Sequence, residues 1–140
     1  MMSKWVVVMF LGMQAHFAAS YLVPLDKQAQ GEFGGLLRWF WPWAYGDGGP
    51  LGRITAGMDL PSPGLFLALA AASLFGLAAL AAAGVWVPVG WCRGLAAAGA
   101  VLLVCLMALF FGPTKLIPMA FALGTLYVAL ARPALVGAGR

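Results

Sequence analysis

The sequence has little charge. Only 9% of its 140 residues are Asp, Glu, Lys or Arg, whereas 64% are hydrophobic. A soluble globular domain carries roughly 25% charged residues and about half apolar ones, so this chain lacks the polar groups that would cover a water-soluble fold. The eight basic residues outnumber the four acidic ones, but they are scattered along the chain and form no basic stripe. We therefore predict no nucleic-acid partner.

Residues for catalysis or metal binding are also scarce. The chain has one histidine, His16, and two cysteines, Cys92 and Cys105. It contains no HExxH, no GxxxxGK[ST] phosphate loop, no GxSxG elbow and no second histidine to activate a nucleophile. Asp47 and Asp59 are typical of turns rather than of paired catalytic carboxylates. No apolar run contains the carboxylate that a proton-coupled four-helix exporter needs. The sequence thus favours a protein that is not an enzyme.

Long apolar runs are the most abundant feature of the chain. A run of about 18 or more predicts a transmembrane helix, because about 20 residues at a rise of 1.5 Å cross the hydrocarbon layer. Four apolar runs, the last one short, predict an all-α integral membrane protein: a single multi-pass domain built as a four-transmembrane-helix bundle in the lipid bilayer. Within the second run, Ala68, Ala72 and Gly76 predict close packing through a ridge of small residues. The predicted helices are about 5–23, 64–85, 94–111 and 114–131.

A long aromatic-rich loop is predicted between helices 1 and 2. Residues 24–61 hold all four acidic residues of the chain, and Trp39, Trp41 and Trp43 lie at the centre of this loop beside Arg38. Indoles favour the headgroup level of a membrane or an interface with another protein, and three together in water would form an unusual apolar patch. We predict these four residues as interface or partner contacts, on an ordered segment near 33–45.

Four crossings would place both termini on the same side of the membrane. Lys and Arg then tie at four on each side, so the positive-inside rule gives no direct answer. Three of the four on the loop side lie in the long loop, some of them far from a helix end, where the rule has least weight. We predict cytoplasmic termini, with loop 24–61 on the outer face.

Two polar residues, Gln14 and His16, lie near the middle of the first predicted helix. An ionisable side chain inside the membrane is costly, and by default it indicates function. At 100° per residue, Met9, Met13 and His16 share one face with Ser20. A neutral imidazole beside two thioethers could ligate haem iron, the magnesium of a chlorin, or Cu(I). The candidate cofactor-binding residues are therefore His16, Met13, Met9 and Gln14.

A plainer interpretation of the first helix stands beside the cofactor interpretation. His16 could form a hydrogen bond to a facing helix, or it could take part in proton transfer or contact a substrate. Methionines at helical spacing are ordinary packing residues. We expect the His16 face to pack on another helix, of this chain or of a neighbour, and the opposite side to face lipid. That opposite side carries Phe10, Gln14, Phe17 and Tyr21, which we interpret as a packing stripe, with a quinone or lipid-tail contact as the alternative.

Two functional hypotheses follow. The first is a small non-catalytic accessory subunit or interaction protein of a larger membrane assembly, with other membrane subunits or further copies of itself as partners. It depends on the lack of catalytic motifs, the small-residue ridge and the aromatic loop. The second is a cofactor-, pigment- or quinone-binding redox protein that uses His16. An absorption spectrum separates the two, because haem and chlorin bands are visible directly.

Overall fold

A computed structural model describes residues 3–20, 63–109 and 115–131. In this part of the chain every regular element is helical, and no residue is in a strand, as predicted. The four helices are α1 (Lys4–Ala19), α2 (Pro63–Ala83), α3 (Cys92–Leu109) and α4 (Leu116–Ala131), and a single 3₁₀ turn, Val89–Trp91, precedes α3. Each helix begins within two residues of its predicted start.

The packing order follows the chain order. Helix α1 packs on α2, α2 on α3 and α3 on α4, while α1 meets α4 along a narrower seam. Helix α3 runs antiparallel to α2, and α4 runs antiparallel to α3, because only a short turn joins the first pair and only residues 110–115 join the second. The core between the four helices is built mostly from alanine and leucine, with Phe75 as its largest fully buried side chain.

Close packing between α2 and α3 depends on one glycine. A Cβ built on Gly99 of α3 would lie 3.3 Å from two ring carbons of Phe75 and 3.4 Å from the Cβ of Leu74. The predicted ridge is only partly right. Ala68 is fully buried, but Ala72 is partly buried and Gly76 has open space where a Cβ would point. The small residues of α2 that are fully buried are Ala68, Ala71, Ala78 and Ala81.

Helix α2 ends in a Schellman motif. Gly84 has φ +76°, its N–H donates to the Ala81 carbonyl at 3.1 Å, and the Val85 N–H donates to the Leu80 carbonyl at 2.9 Å. These are the two bonds of that motif, and a glycine in the left-handed region adopts it without steric cost. The helix therefore stops two residues before its predicted end at residue 85.

Two segments are long and apolar enough to cross a membrane, judged by length and composition: Phe66–Ala83 and Val89–Leu109. Helices α1 and α4 are apolar but shorter, at 16 residues each. A helix of 16 residues extends about 24 Å, against about 30 Å for a typical hydrocarbon core. Membrane crossing remains a prediction for all four helices.

Candidate functional site

The outer face of α1 carries His16. Both His16 and Met9 are exposed, Met9 to 75%, and Met13 is partly buried. The residues of α1 that pack into the core lie on the other side of the helix, led by Leu11, Phe17 and Ala18. The expectation that the His16 face packs inside this chain is therefore right only in part: Met13 packs against the core and Ser20 is buried, but His16 and Met9 are exposed. Packing of that face on a neighbouring chain stays a prediction.

Gln14 lies on the inner side of α1, in the seam with α4. Its side chain is fully buried, and its Nε2 donates a hydrogen bond to the hydroxyl of Thr125. The Thr125 hydroxyl in turn donates to the carbonyl oxygen of Phe121 at 3.0 Å, one turn earlier in α4. No side chain or backbone group in the described part of the chain donates to Gln14 Oε1. Gln14 is thus a buried amide whose nitrogen is bonded and whose oxygen has no donor among residues 3–20, 63–109 and 115–131.

Aromatic rings surround this amide along the seam. The ring of Phe121 lies 5.4 Å from that of Phe10 and 6.0 Å from that of Phe17, tilted by 52° and 50°. Tilted rings at these separations are favourable aromatic pairs. Phe10, Gln14 and Phe17 therefore form packing contacts with α4, which confirms the packing-stripe interpretation for these three residues, and the expectation that this side of α1 faces lipid is wrong. Tyr21, the fourth member of the predicted stripe, lies outside the described residues.

The candidate residues on α1 do not form one site. Gln14 is inside the seam, whereas His16 and Met9 point away from it. Within residues 3–20, 63–109 and 115–131, no group of three or more His, Cys, Asp or Glu side chains is placed to hold a metal ion. The two cysteines are free: Cys92 is buried at the start of α3 and Cys105 is exposed.

The turn between α2 and α3 contains an unusual backbone conformation at Trp86. Its φ is +61°, in the region that only glycine enters without strain, and the Val87 N–H donates across it to the Val85 carbonyl at 2.7 Å. This is a γ-turn of the rare, strained kind. The indole of Trp86 is 93% exposed, and that of Trp91 is 65% exposed. The turn thus presents two indoles at one end of the packed helices.

Arg93 links this turn to the end of α4. Its Nε donates to the carbonyl oxygen of Ala129 at 2.6 Å. In a continuing helix that carbonyl would accept from the N–H four residues later, but position 133 is proline, which has no N–H. The arginine therefore supplies the missing donor, as basic side chains commonly do at helix C-termini. Sequence reasoning missed this contact, although the proline four residues after Ala129 indicated a carbonyl that needed a donor.

The loop candidates Arg38, Trp39, Trp41 and Trp43 lie outside the described residues, so their predicted interface role remains a prediction. The chain matches no family model, and no curated protein and no solved structure is significantly similar to it.

Proposed function

We propose that this protein is a multi-pass membrane protein with four crossings, and that it acts as a non-catalytic subunit through contacts with other proteins in the bilayer. The membrane part is supported by the outer surface of the helices. Large apolar side chains are exposed on all four, and a water-soluble protein rarely exposes so much apolar surface. The exposed ones include Trp5, Val6, Met9, Phe66, Leu69, Leu77, Val101, Leu116, Ile117, Leu123, Tyr127 and Leu130.

The proposed topology has both termini in the cytoplasm. Helices α1 and α4 are short for a crossing, and local thinning of the bilayer is one way in which short helices are accommodated. All four acidic residues then lie in loop 24–61 on the outer face. Single cysteines at Gly48 and Gly137 test the orientation in intact cells. Labelling of the residue 137 cysteine alone from outside would show the opposite orientation.

One observation carries the partner proposal: His16, in the last turn of α1, is exposed on the same face as the exposed Met9. If α1 lies in the bilayer, an exposed polar side chain on its outer surface is normally directed toward protein or a water-filled cavity rather than toward lipid. Coverage of this face by another membrane protein, or by a second copy of the chain, keeps the imidazole out of lipid. The exposed Met9 extends the same face by two turns and is an adaptable packing residue.

Site-specific photocrosslinking tests the partner proposal. A photoreactive side chain at Met9 should form a protein adduct in native membranes, whereas the same side chain at Leu123, on the outer face of α4, serves as the matched exposed control. His16→Leu should reduce the Met9 adduct. Crosslinks from Met9 to lipid alone would refute a protein partner at this face.

The second candidate function is binding of a haem, a chlorin or a quinone. It is favoured by the exposure of His16 and Met9 on one face, where a planar group held between this chain and a neighbour could reach both. The purified protein would then show an absorption band that His16→Leu abolishes while the helices still fold. A purified protein that has no such absorption band but is still assembled with its partner would favour the proposal of a non-catalytic subunit.

A further inference from the structure

Arg93 has hydrogen-bonding capacity that the fold does not use. Its Nε is bonded to the Ala129 carbonyl, but neither terminal amino group has a hydrogen-bond partner among the described residues. The described segments contain no Asp or Glu, so no carboxylate in them can neutralise the guanidinium. The Nε bond also restricts the orientation of the planar group. Arg93 is exposed, so its remaining N–H donors are open to a ligand outside these helices, and a guanidinium can bind a phosphate through two parallel N–H donors.

Two exposed indoles lie on the same turn as this arginine. Trp86 and Trp91 are both within seven residues of Arg93 and are among the most exposed large side chains of the described residues. Tryptophan concentrates at the headgroup level of membranes, where its ring meets apolar chains and its N–H meets polar groups. If α2 and α3 cross the bilayer, as proposed above, this turn lies at that level. An arginine flanked by interfacial indoles is placed beside lipid phosphates.

We propose that the α2–α3 turn binds the phosphate of an anionic phospholipid through the terminal amino groups of Arg93, with Trp86 and Trp91 at the level of the glycerol and acyl-chain boundary. The inference depends on the proposed membrane topology. Charge complementarity selects the ligand class, because the side of the membrane that carries Arg93 also carries Lys4, Arg132 and Arg140 without any acid. The cytoplasmic leaflet is the anionic one, and it attracts basic residues near its surface.

Lipid retention by the purified full-length chain tests this site. In native mass spectrometry, the wild type should retain phosphatidylglycerol in preference to phosphatidylcholine. Arg93→Gln should weaken retention of phosphatidylglycerol about fivefold, because it removes the two parallel, charge-assisted donors that would hold the phosphate. Arg93→Lys should give an intermediate value, because an ammonium keeps the charge but cannot bind the Ala129 carbonyl and a phosphate in a fixed fork.

Two control variants separate lipid binding from stability and from general charge. Lys4→Gln removes a positive charge beside another exposed indole, since Lys4 Nζ lies 5.2 Å from the Trp5 ring centroid, and it should change retention less than twofold. Adding Pro133→Ala to Arg93→Gln supplies an amide hydrogen for the Ala129 carbonyl. This double variant should regain thermal stability without regaining the lipid.

Three results would overturn the inference: equal retention of the two lipids by the wild type, unchanged retention in Arg93→Gln, or equal stabilisation by inorganic phosphate alone. Failure of the proposed function is recognised separately. If the proposed function is wrong, alkaline carbonate would extract the protein from membranes. If the protein stays in the membrane but shows no lipid preference, only the inference about Arg93 is wrong.

Discussion

Replacement of Gln14 by leucine should stabilise the protein. The side chain is fully buried, and its Oε1 has no protein donor in the described residues. A buried acceptor left without a partner costs about 1–3 kcal/mol. The single interhelical bond from Nε2 to the Thr125 hydroxyl returns less, because such bonds in membrane proteins average about 0.6 kcal/mol. Leucine has a similar size and no polar atoms, so Gln14→Leu should raise the free energy of unfolding by about 1–2 kcal/mol.

The reciprocal substitution should act in the opposite direction. Thr125→Val removes the acceptor for Gln14 Nε2 and leaves both polar atoms of the buried amide without a partner, so it should cost about 1–3 kcal/mol. The Thr125 hydroxyl still has its bond to the Phe121 carbonyl in the leucine variant, so that variant leaves no new unpaired donor. Combining the two substitutions should therefore restore most of the stability lost in Thr125→Val.

Reversible unfolding in mixed micelles of a mild detergent and dodecyl sulfate, followed by far-ultraviolet circular dichroism, measures all four proteins of this cycle. A loss of stability in Gln14→Leu would refute the reasoning, since it would mean that another donor reaches Oε1. If the leucine variant is more stable but loses its partner or its bound group, the amide is retained for function at the expense of stability.

Four further substitutions, one of them a control, test other parts of the structure. Gly99→Leu should cost about 1–3 kcal/mol by forcing α2 and α3 apart, whereas Gly124→Leu, which meets open space on α4, should be close to neutral in the same unfolding assay. Trp86→Gly should gain about 1 kcal/mol, because glycine adopts a φ of +61° without strain; a loss of stability would mean that the indole packs on something. His16→Leu should shift the stability of the isolated chain by less than about 0.5 kcal/mol, since the imidazole is exposed, and a larger loss would place it in the core.

The helices were predictable because each apolar run is bounded by residues that end helices. The hypothesis that they lie in a bilayer depends only on the length and composition of these runs. Which face of α1 packs against the other helices was not predictable. Helical spacing correctly separates the His16 face from the Gln14 face, but both contain a polar residue beside large apolar ones. The Gln14 face is covered by Phe121 and Thr125 of α4, more than a hundred positions later in the chain. One sequence does not reveal such a pairing.

The ridge on α2 shows the same limit at a smaller scale. The predicted ridge follows four-residue spacing alone, whereas the buried residues Ala68, Ala71, Phe75 and Ala78 follow mixed three- and four-residue spacing, which keeps them on one face of the helix. The close approach to α3 is instead made by Gly99 of α3 against the ring of Phe75, a large residue that no small-residue pattern selects. The donor for the Ala129 carbonyl was partly predictable. Pro133 showed that a donor was missing, but not that Arg93 would supply it.

The short α2–α3 turn has a consequence for how the chain is assembled during synthesis. Phe75 and Gly99, which pack on each other, are only 24 positions apart, whereas Gln14 and Thr125 are separated by 111. Closing the longer interval costs about 1 kcal/mol more chain entropy. We therefore expect α2 and α3 to enter the membrane together as a hairpin, α4 to join them through Arg93 as it leaves the ribosome, and the α1–α4 seam to close last. The final step of biogenesis would then be the burial of Gln14.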